Sequence, residues 1–175
     1  SVPGLADSGF FGGAVSLDGN RLAVGASNLS DGSVFLFTFA DAVFNSPSLV
    51  SRIGAGASGP NDLSIPIGPG DFFGFSVSLE GNRLAVGAPL DDGLSDALAD
   101  VGAVYLFSFA DSLLNGPAQE AVIGAGYSGG KNVNLAALDA GDHFGSSVSL
   151  QSLRLVIGAE YDDGGSGNVT TDTGA

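Results

Sequence analysis

The sequence predicts an all-β protein made of β-propeller-type blades, each with four short antiparallel strands. Residues 19–26 are spelled identically at residues 81–88, and a near copy returns at residues 153–159. The 175 residues include 29 glycines and only 14% charged residues, which suits many strands joined by tight turns. Most windows long enough for a helix are broken by Gly or Pro, or alternate with period two. Repetition at long range therefore predicts a repeat architecture without helices.

Three copies of one unit align on a Phe-Gly pair at residues 11–12, 73–74 and 144–145. The steps from 11 to 73 and from 73 to 144 are 62 and 71 residues, and most of the difference lies in one variable loop. We therefore divide the chain into three repeats, the third of them truncated: 1–57, 58–128 and 129–175.

The first strand of each copy alternates around Val and Leu, at residues 13–17, 75–79 and 146–150. Alternation with period two predicts a strand that is buried on one face. The turn that follows is short, and Asp18-Gly19-Asn20 suits a tight hairpin.

The second strand, at residues 21–26, 83–88 and 154–159, is apolar after its opening Arg. Such a run predicts a strand that is buried on both faces, and its Gly-Ala ending allows close approach of another backbone. The predicted core is Leu22, Val24, Leu84, Val86, Leu155 and Ile157, with Leu36, Phe37, Leu106 and Phe107 beside them.

A third strand is predicted at residues 33–39 and 103–109, where aromatic and aliphatic residues alternate, and a fourth at 49–56 and 120–126. The third copy stops at residues 173–175, where its third strand should begin. About two and a half blades cannot close a ring, which normally needs about 4–8. A β-solenoid, a stacked β-sheet array and a sandwich are the alternative architectures.

The charge of the chain excludes some classes of partner. Five basic and nineteen acidic residues give a net charge of −14, so binding to nucleic acid or to an anionic membrane is not expected. No apolar run approaches the ~20 residues of a membrane helix, so membrane insertion is not expected either. Cys and Met are absent, and without an initiator we interpret the chain as a piece of a longer protein.

The acidic loops after the second strands are the best candidates for chemistry. Clustered carboxylates on oxygen-rich loops are typical Ca²⁺ ligands, although their spacing matches no calcium template. Solvated loop residues that only keep the protein soluble are the alternative. The candidate metal ligands are Asp91, Asp92, Asp96 and Asp100 in the second copy, and Asp162, Asp163 and Asp172 in the third.

Other motifs predict turns rather than sites. Residues 54–59 and 124–129 fit G-x-G-x-x-G, but neither opens a helix that could hold a pyrophosphate. Residues 126–130 spell a nucleophile elbow, yet the only imidazole, His143, occupies an aromatic packing position. We therefore predict no enzyme. Sequons begin at Asn28 and Asn168.

The pattern Phe73-Gly74, Gly87-Ala88-Pro89 and Gly102-Ala103-Val104-Tyr105 resembles the FG-GAP repeats of integrin α-subunit propellers. It resembles more closely the repeats of very large bacterial surface exoproteins of the filamentous-haemagglutinin type. Integrin-type repeats often carry a calcium loop before the Gly-Ala strand, but here only a two- or three-residue turn stands there, too short to wrap an ion. The resemblance implies an extracellular or cell-surface location.

From these observations we predict a non-catalytic β-repeat segment of a large secreted or surface protein, acting in adhesion or as a scaffold. One alternative is a self-assembling subunit of an extracellular fibre. Another is a module that binds a protein or glycan ligand through the variable loops. The expected partners are further repeats of the same parent chain or identical subunits, joined through open strand edges.

Overall fold

The computed structural model describes residues 9–27 and 32–164, which fold into strands and turns. The candidate ligand Asp172 lies outside these residues, and so do the two sequons that begin at Asn28 and Asn168. The described part of the chain contains no helix that could cross a membrane. The prediction of an all-β protein is confirmed.

Two five-stranded sheets and one hairpin follow one another along the chain, in sequence order within each sheet. The first sheet contains β1 (Ala14–Asp18), β2 (Arg21–Ala26), β3 (Ser33–Thr38), β4 (Ser48–Gly54) and β5 (Leu63–Ser64). The second contains β6 (Ser76–Glu80), β7 (Arg83–Ala88), β8 (Ala103–Ser108), β9 (Ala118–Gly124) and β10 (Val133–Asn134). The hairpin is β11 (Phe144–Gln151) and β12 (Arg154–Ala159).

The first four strands of each full sheet pair antiparallel, as blades of a β-propeller do, and no described sheet closes into a ring. The register repeats: Leu22 faces Phe37 in the first sheet and Leu84 faces Phe107 in the second. The fifth strands, β5 and β10, pair parallel to their neighbours. We did not predict them, because two residues carry no periodic signal.

Neighbouring repeats pack through their first and second strands, where two glycines allow very close approach. A Cβ atom at Gly25 would lie 2.0 Å from the carbonyl oxygen of Gly74, and one at Gly87 would lie 1.9 Å from that of Gly145. No side chain fits in such a space. The repeated Gly-Ala ending is therefore required by packing between repeats.

The same polar contacts join each repeat to the next. The Ser16 hydroxyl oxygen accepts a hydrogen bond from the Leu79 N–H, and Ser78 does the same for Leu150, both at 2.9 Å. At the adjacent turns, the Asp18 carboxylate accepts the Gly81 N–H at 2.7 Å while Arg21 donates to the Gly81 carbonyl. We call this pair of contacts the turn clamp.

The turn clamp recurs between the second and third repeats. Glu80 accepts the Ser152 N–H at 2.7 Å, and Arg83 donates to the Ser152 carbonyl. In each clamp the acid and the Arg also form an ion pair, at 2.5 Å. The clamp therefore fixes the alignment of two repeats through main-chain atoms of the incoming turn.

The predicted core is confirmed for Val24, Leu84 and Val86 in the second strands and for Leu36 and Phe107 beside them. It is wrong for five residues that are only half-buried. Two of them lie on the face of the first sheet that points away from the second repeat. The other three lie between the second sheet and the β11–β12 hairpin. These residues are Leu22, Phe37, Leu106, Leu155 and Ile157.

Candidate functional site: two acidic loops

The acidic loops follow β7 and β12, and each meets the turn that precedes the Phe-Gly pair of its own repeat. An aspartate closes each of these turns. The Asp71 carboxylate accepts the N–H of Gly68 at 2.8 Å, and the Asp142 carboxylate accepts that of Asp139 at 2.7 Å. Asp71 and Asp142 therefore add a further carboxylate beside each loop.

In the second repeat, the carboxylates line a cavity of about 250 Å³. No Arg or Lys is among the described residues that line it. The cavity wall includes the hydroxyl groups of two tyrosines. Its acidic and tyrosine residues are Asp71, Asp91, Asp92, Asp96, Tyr105 and Tyr127.

Asp91 is the buried centre of this cavity, with only 2% of its surface exposed. Tyr105 donates a hydrogen bond of 2.6 Å to its Oδ2 atom, and Tyr127 donates one of 3.0 Å to Oδ1. The N–H of Gly93 donates a third, at 2.8 Å. Burial raises the pKa of Asp91 and of both tyrosines. Hydrogen bonds from neutral groups thus satisfy this carboxylate without a cation.

Burial, together with the nearby carboxylates of Asp91, Asp92 and Asp96, raises the pKa of Asp71 from its usual 3.8 to about 6. The hydrogen bond from Gly68 acts in the opposite direction. Asp71 in this cavity therefore keeps its proton to a higher pH than an exposed aspartate does.

The third repeat holds a tighter group. One carboxylate oxygen from each of Asp142, Asp162 and Asp163 lies within 4.8 Å of the others. Burial raises the pKa of Asp142, and the charges of Asp162, Asp139 and Asp163 add to that effect. Asp162 also accepts the Gly164 N–H at 2.7 Å, as Asp91 accepts that of Gly93.

The structure brings together most of the predicted ligands but not all of them. Asp92 and Asp96 line the cavity with Asp91, and Asp162 and Asp163 meet in the third repeat. Asp100 acts through its main chain: its N–H donates to Asp92 at 2.8 Å, and its carbonyl accepts the His143 N–H at 3.3 Å.

Sequence reasoning missed Asp71, Asp142, Tyr105 and Tyr127. A signal for the aspartates existed, because each stands two residues before the Phe of the Phe-Gly pair in its copy. The first copy has Gly9 at that position. The tyrosines carried no signal, since an aromatic residue in a strand usually indicates packing.

His143 packs as an aromatic residue. Its ring meets that of Tyr161 edge to face, with the centroids 4.7 Å apart. Its Nδ1 atom lies 3.9 Å from a Glu160 carboxylate oxygen. The two glycine-rich motifs begin where β4 and β9 end, at Gly54 and Gly124, and continue as turns.

Comparison with known proteins gives one family. Residues 67–107 and 133–174 match the FG-GAP repeat family. The first match runs from the turn that Asp71 closes into β8, and the second includes the three aspartates grouped in the third repeat. No curated protein matches the chain.

Proposed function

Because the second and third repeats are FG-GAP repeats, we propose that the chain is a non-catalytic module of a larger secreted or cell-surface protein. Repeats of this family typically occur in extracellular or surface proteins. The module acts in adhesion or as a scaffold. Further repeats of the parent chain, or identical subunits, are its structural partners.

The observation that carries this proposal is the interface between repeats, which is built twice from the same contacts. The turn clamps and the glycine contacts stack the repeats in one fixed way. The variable loop of the second repeat is also joined to the start of the third repeat, since the N–H groups of Gly141 and Phe144 donate to the carbonyls of Ala99 and Val101, both at 3.0 Å. A rigid stack that presents joined loops is suited to holding a binding surface in place.

An adhesion assay tests the proposal. Beads coated with the 175-residue chain are presented to panels of glycans and extracellular matrix proteins. We expect saturable binding that Asp92→Asn and Asp96→Asn weaken, because both side chains line the exposed loop cavity. Asp41→Asn, in an exposed turn between β3 and β4, is the matched control and should leave binding unchanged. Equal binding by all three variants would exclude the loops as the adhesive surface.

We also propose that the third repeat binds Ca²⁺. Two oxygens on one Ca²⁺ lie at most about 5 Å apart, because each is about 2.3–2.6 Å from the ion, so the spacing within 4.8 Å fits. Asp142, Asp162 and Asp163 would hold the ion, and water or loop carbonyls would complete its shell. The tyrosine hydroxyls around Asp91 make the second repeat the poorer site.

Thermal melting with and without Ca²⁺ tests this second proposal. An ion that binds only the folded chain stabilises it by about 2.7 kcal/mol at 100 times its dissociation constant. We expect the melting midpoint to rise with Ca²⁺ concentration, and Asp163→Asn to abolish the rise. Asp92→Asn, at the same position of the second repeat, should retain it. A midpoint that millimolar Ca²⁺ leaves unchanged would refute the proposal.

A further inference from the structure

One asparagine of the chain, Asn115, is followed by glycine. It lies in the turn between β8 and β9, residues 111–116, where both Asn115 and Gly116 are exposed. An asparagine in this setting can react with its own main chain, because glycine has no side chain to keep its nitrogen away from the amide carbon. The pair is therefore a candidate site of spontaneous covalent modification.

The same turn joins the first and second sheets. Its Leu114 side chain is fully buried in the core that contains Leu36 of the first sheet and Leu79 of the second. The backbone of Leu114 has a positive φ of 63°, a conformation that a leucine adopts only where its surroundings hold it. The turn therefore depends on contacts that keep Leu114 in this position.

Two side chains supply those contacts. The Asp111 carboxylate accepts the Asn115 N–H at 3.2 Å and the Asn115 side-chain amide at 2.9 Å. From the loop between β4 and β5, Asn61 donates to the Leu114 carbonyl at 3.3 Å and accepts the Gly116 N–H at 2.8 Å. Asp111 thus holds the amide that would react, and Asn61 holds the nitrogen that would attack it.

The reaction consumes only water. The Gly116 nitrogen gives its proton to solvent and attacks Cγ of Asn115, and the side-chain Nδ2 takes up a proton and leaves as ammonia. The new bond closes a cyclic succinimide, which water then opens. Opening at one carbonyl leaves aspartate, and opening at the other leaves isoaspartate, whose main chain runs through Cγ. No group is oxidised or reduced.

The closed turn protects both reacting groups. The Gly116 N–H cannot pass to solvent while it donates to Asn61, and the Asn115 amide cannot rotate while it donates to Asp111. A local opening of the turn frees both groups at once. The reaction rate therefore depends on how often the turn separates from Asn61.

The product cannot restore the original contacts. An ionised aspartate has no side-chain N–H to donate, so its carboxylate would stand beside that of Asp111 and repel it. Isoaspartate also lengthens the main chain of the turn. Either product should weaken the hold on Leu114.

The first sheet carries the same turn without the glycine, at residues 41–46. Asn45 donates its N–H to Asp41 at 3.2 Å and its side-chain amide at 2.8 Å. Ser46 takes the place of the glycine, at a positive φ of 48°. Its side chain crowds the main-chain nitrogen, so we expect Asn45 to stay unmodified.

We propose that Asn115-Gly116 is a self-modification site guarded by Asn61, and that its conversion to aspartate or isoaspartate irreversibly loosens the contact between the first and second sheets. The site limits how long the two sheets stay locked together. This inference does not depend on the adhesive function.

Peptide mapping by mass spectrometry tests the site after incubation in mildly alkaline buffer. We expect Asn61→Ala to convert Asn115 about threefold to tenfold faster than the unchanged chain, the factor by which one lost hydrogen bond shifts a local opening. Gly116→Ser, which copies the first turn, should abolish the conversion. Asn134→Ala is the matched control: it removes an acceptor of the Gly126 N–H, at 2.8 Å, at the other end of β9, and should leave the rate unchanged.

Equal rates for Asn61→Ala and the unchanged chain would overturn the proposal, and so would conversion of Asn45 as fast as that of Asn115. If Asn61→Ala does not fold, the unchanged chain is compared in buffer and in urea. We then expect conversion of Asn115 to be about tenfold or more slower in the folded chain, and equal rates would overturn the guarding role.

Asn115→Asp reproduces one product directly and tests its consequence. We expect it to lower the melting midpoint by about 3 °C or more, because it removes a hydrogen bond and adds a repelling charge. Asn45→Asp makes the same change in the first turn, where Phe44 is 50% exposed, and should lower the midpoint less. If Asn115→Asp melts with the unchanged chain, the modification does not loosen the contact and the proposal fails.

Discussion

The second and third repeats share their inner half, and only the second has its outer half among the described residues. Both place a glycine at the same point of the second strand, at Gly87 and Gly158, and both begin that strand with an Arg. In the second repeat β8 and a following repeat cover this strand, and Ala85 is fully buried. At the equivalent position of the third repeat, Val156 is 67% exposed. Burial in this fold is thus produced by the neighbouring strands and repeats.

The two acidic loops also differ according to which residues lie beside them. Asp91 and Asp162 follow their strands at the same distance and accept the same N–H contact. Asp91 is also held by two tyrosines of the outer half, from β8 and from the turn after β9. Asp162 instead lies beside Asp142 and Asp163. One sequence motif therefore forms two different electrostatic sites.

The largest effect is expected from Gly87→Val. Its side chain would meet the main chain of Gly145, which cannot move without separating the second and third repeats. We expect a loss of about 3–5 kcal/mol in the free energy of unfolding, measured by urea denaturation. Gly158→Val, at the equivalent but only half-buried position of β12, is the matched control and should cost less. Equal losses would show that β7 and β12 are equally covered, which would contradict the difference in burial between the two strands.

Leu114→Ala should have the next largest effect, about 3 kcal/mol, because the side chain fills the contact between the first and second repeats. Its neighbour Leu113 is 57% exposed, so Leu113→Ala should change stability by less than about 0.5 kcal/mol. Denaturant melting of both variants checks this. A small loss for Leu114→Ala would mean that this contact between the first and second repeats contributes little to the stability of the fold.

Tyr105→Phe removes the shortest hydrogen bond to a buried carboxylate. Leaving such a group less satisfied costs about 1–3 kcal/mol, which thermal melting at pH 7 measures. Tyr161→Phe, in the third repeat, should cost little because its described contact is the ring contact with His143. If the two variants melt alike, Asp91 does not depend on the tyrosine.

Asp71→Asn should have the smallest effect, and it should depend on pH. The folded pKa of about 6 lies above the usual 3.8, so ionised Asp71 destabilises the fold. Its favourable contribution is complete below pH 3.8 and is lost as the pH rises through about 6. Since Asp71 is only half-buried, we expect Asp71→Asn to stabilise the chain by about 1 kcal/mol at pH 7.5 and not at pH 3.5.

Asp111→Asn is the control, and we expect it to change the stability in the opposite direction. The hydrogen bonds from Asn115 hold the pKa of Asp111 below its usual value, so its carboxylate stabilises the fold above pH 3.8 and this is lost at lower pH. Asp111→Asn should therefore destabilise at pH 7.5. The same pH dependence for both variants would contradict the assignment of Asp71 to a shielded acidic cavity.

The inner half of each repeat could be predicted from the sequence because its signals are local. All three second strands have the predicted bounds, as periodicity and repetition both marked them. The burial of Leu155 could not be predicted in this way, since it depends on strands outside its hairpin. Asp71 and Asp91 line the same cavity but come from two different loops. No local sequence pattern predicts that they lie close together.

The turn clamp has a consequence for how such a chain can change over generations. It recognises only the N–H and carbonyl of the incoming turn, and it accepts Gly81 in one place and Ser152 in another. A joint that contacts only the backbone does not depend on the incoming side chain, provided that the turn residue adopts the positive φ found at Gly81 (58°) and Ser152 (53°). Identical stretches such as residues 19–26 and 81–88 are sites at which unequal recombination can add or remove a unit. The joint survives each such event, so the number of units can drift while the geometry between them is inherited unchanged.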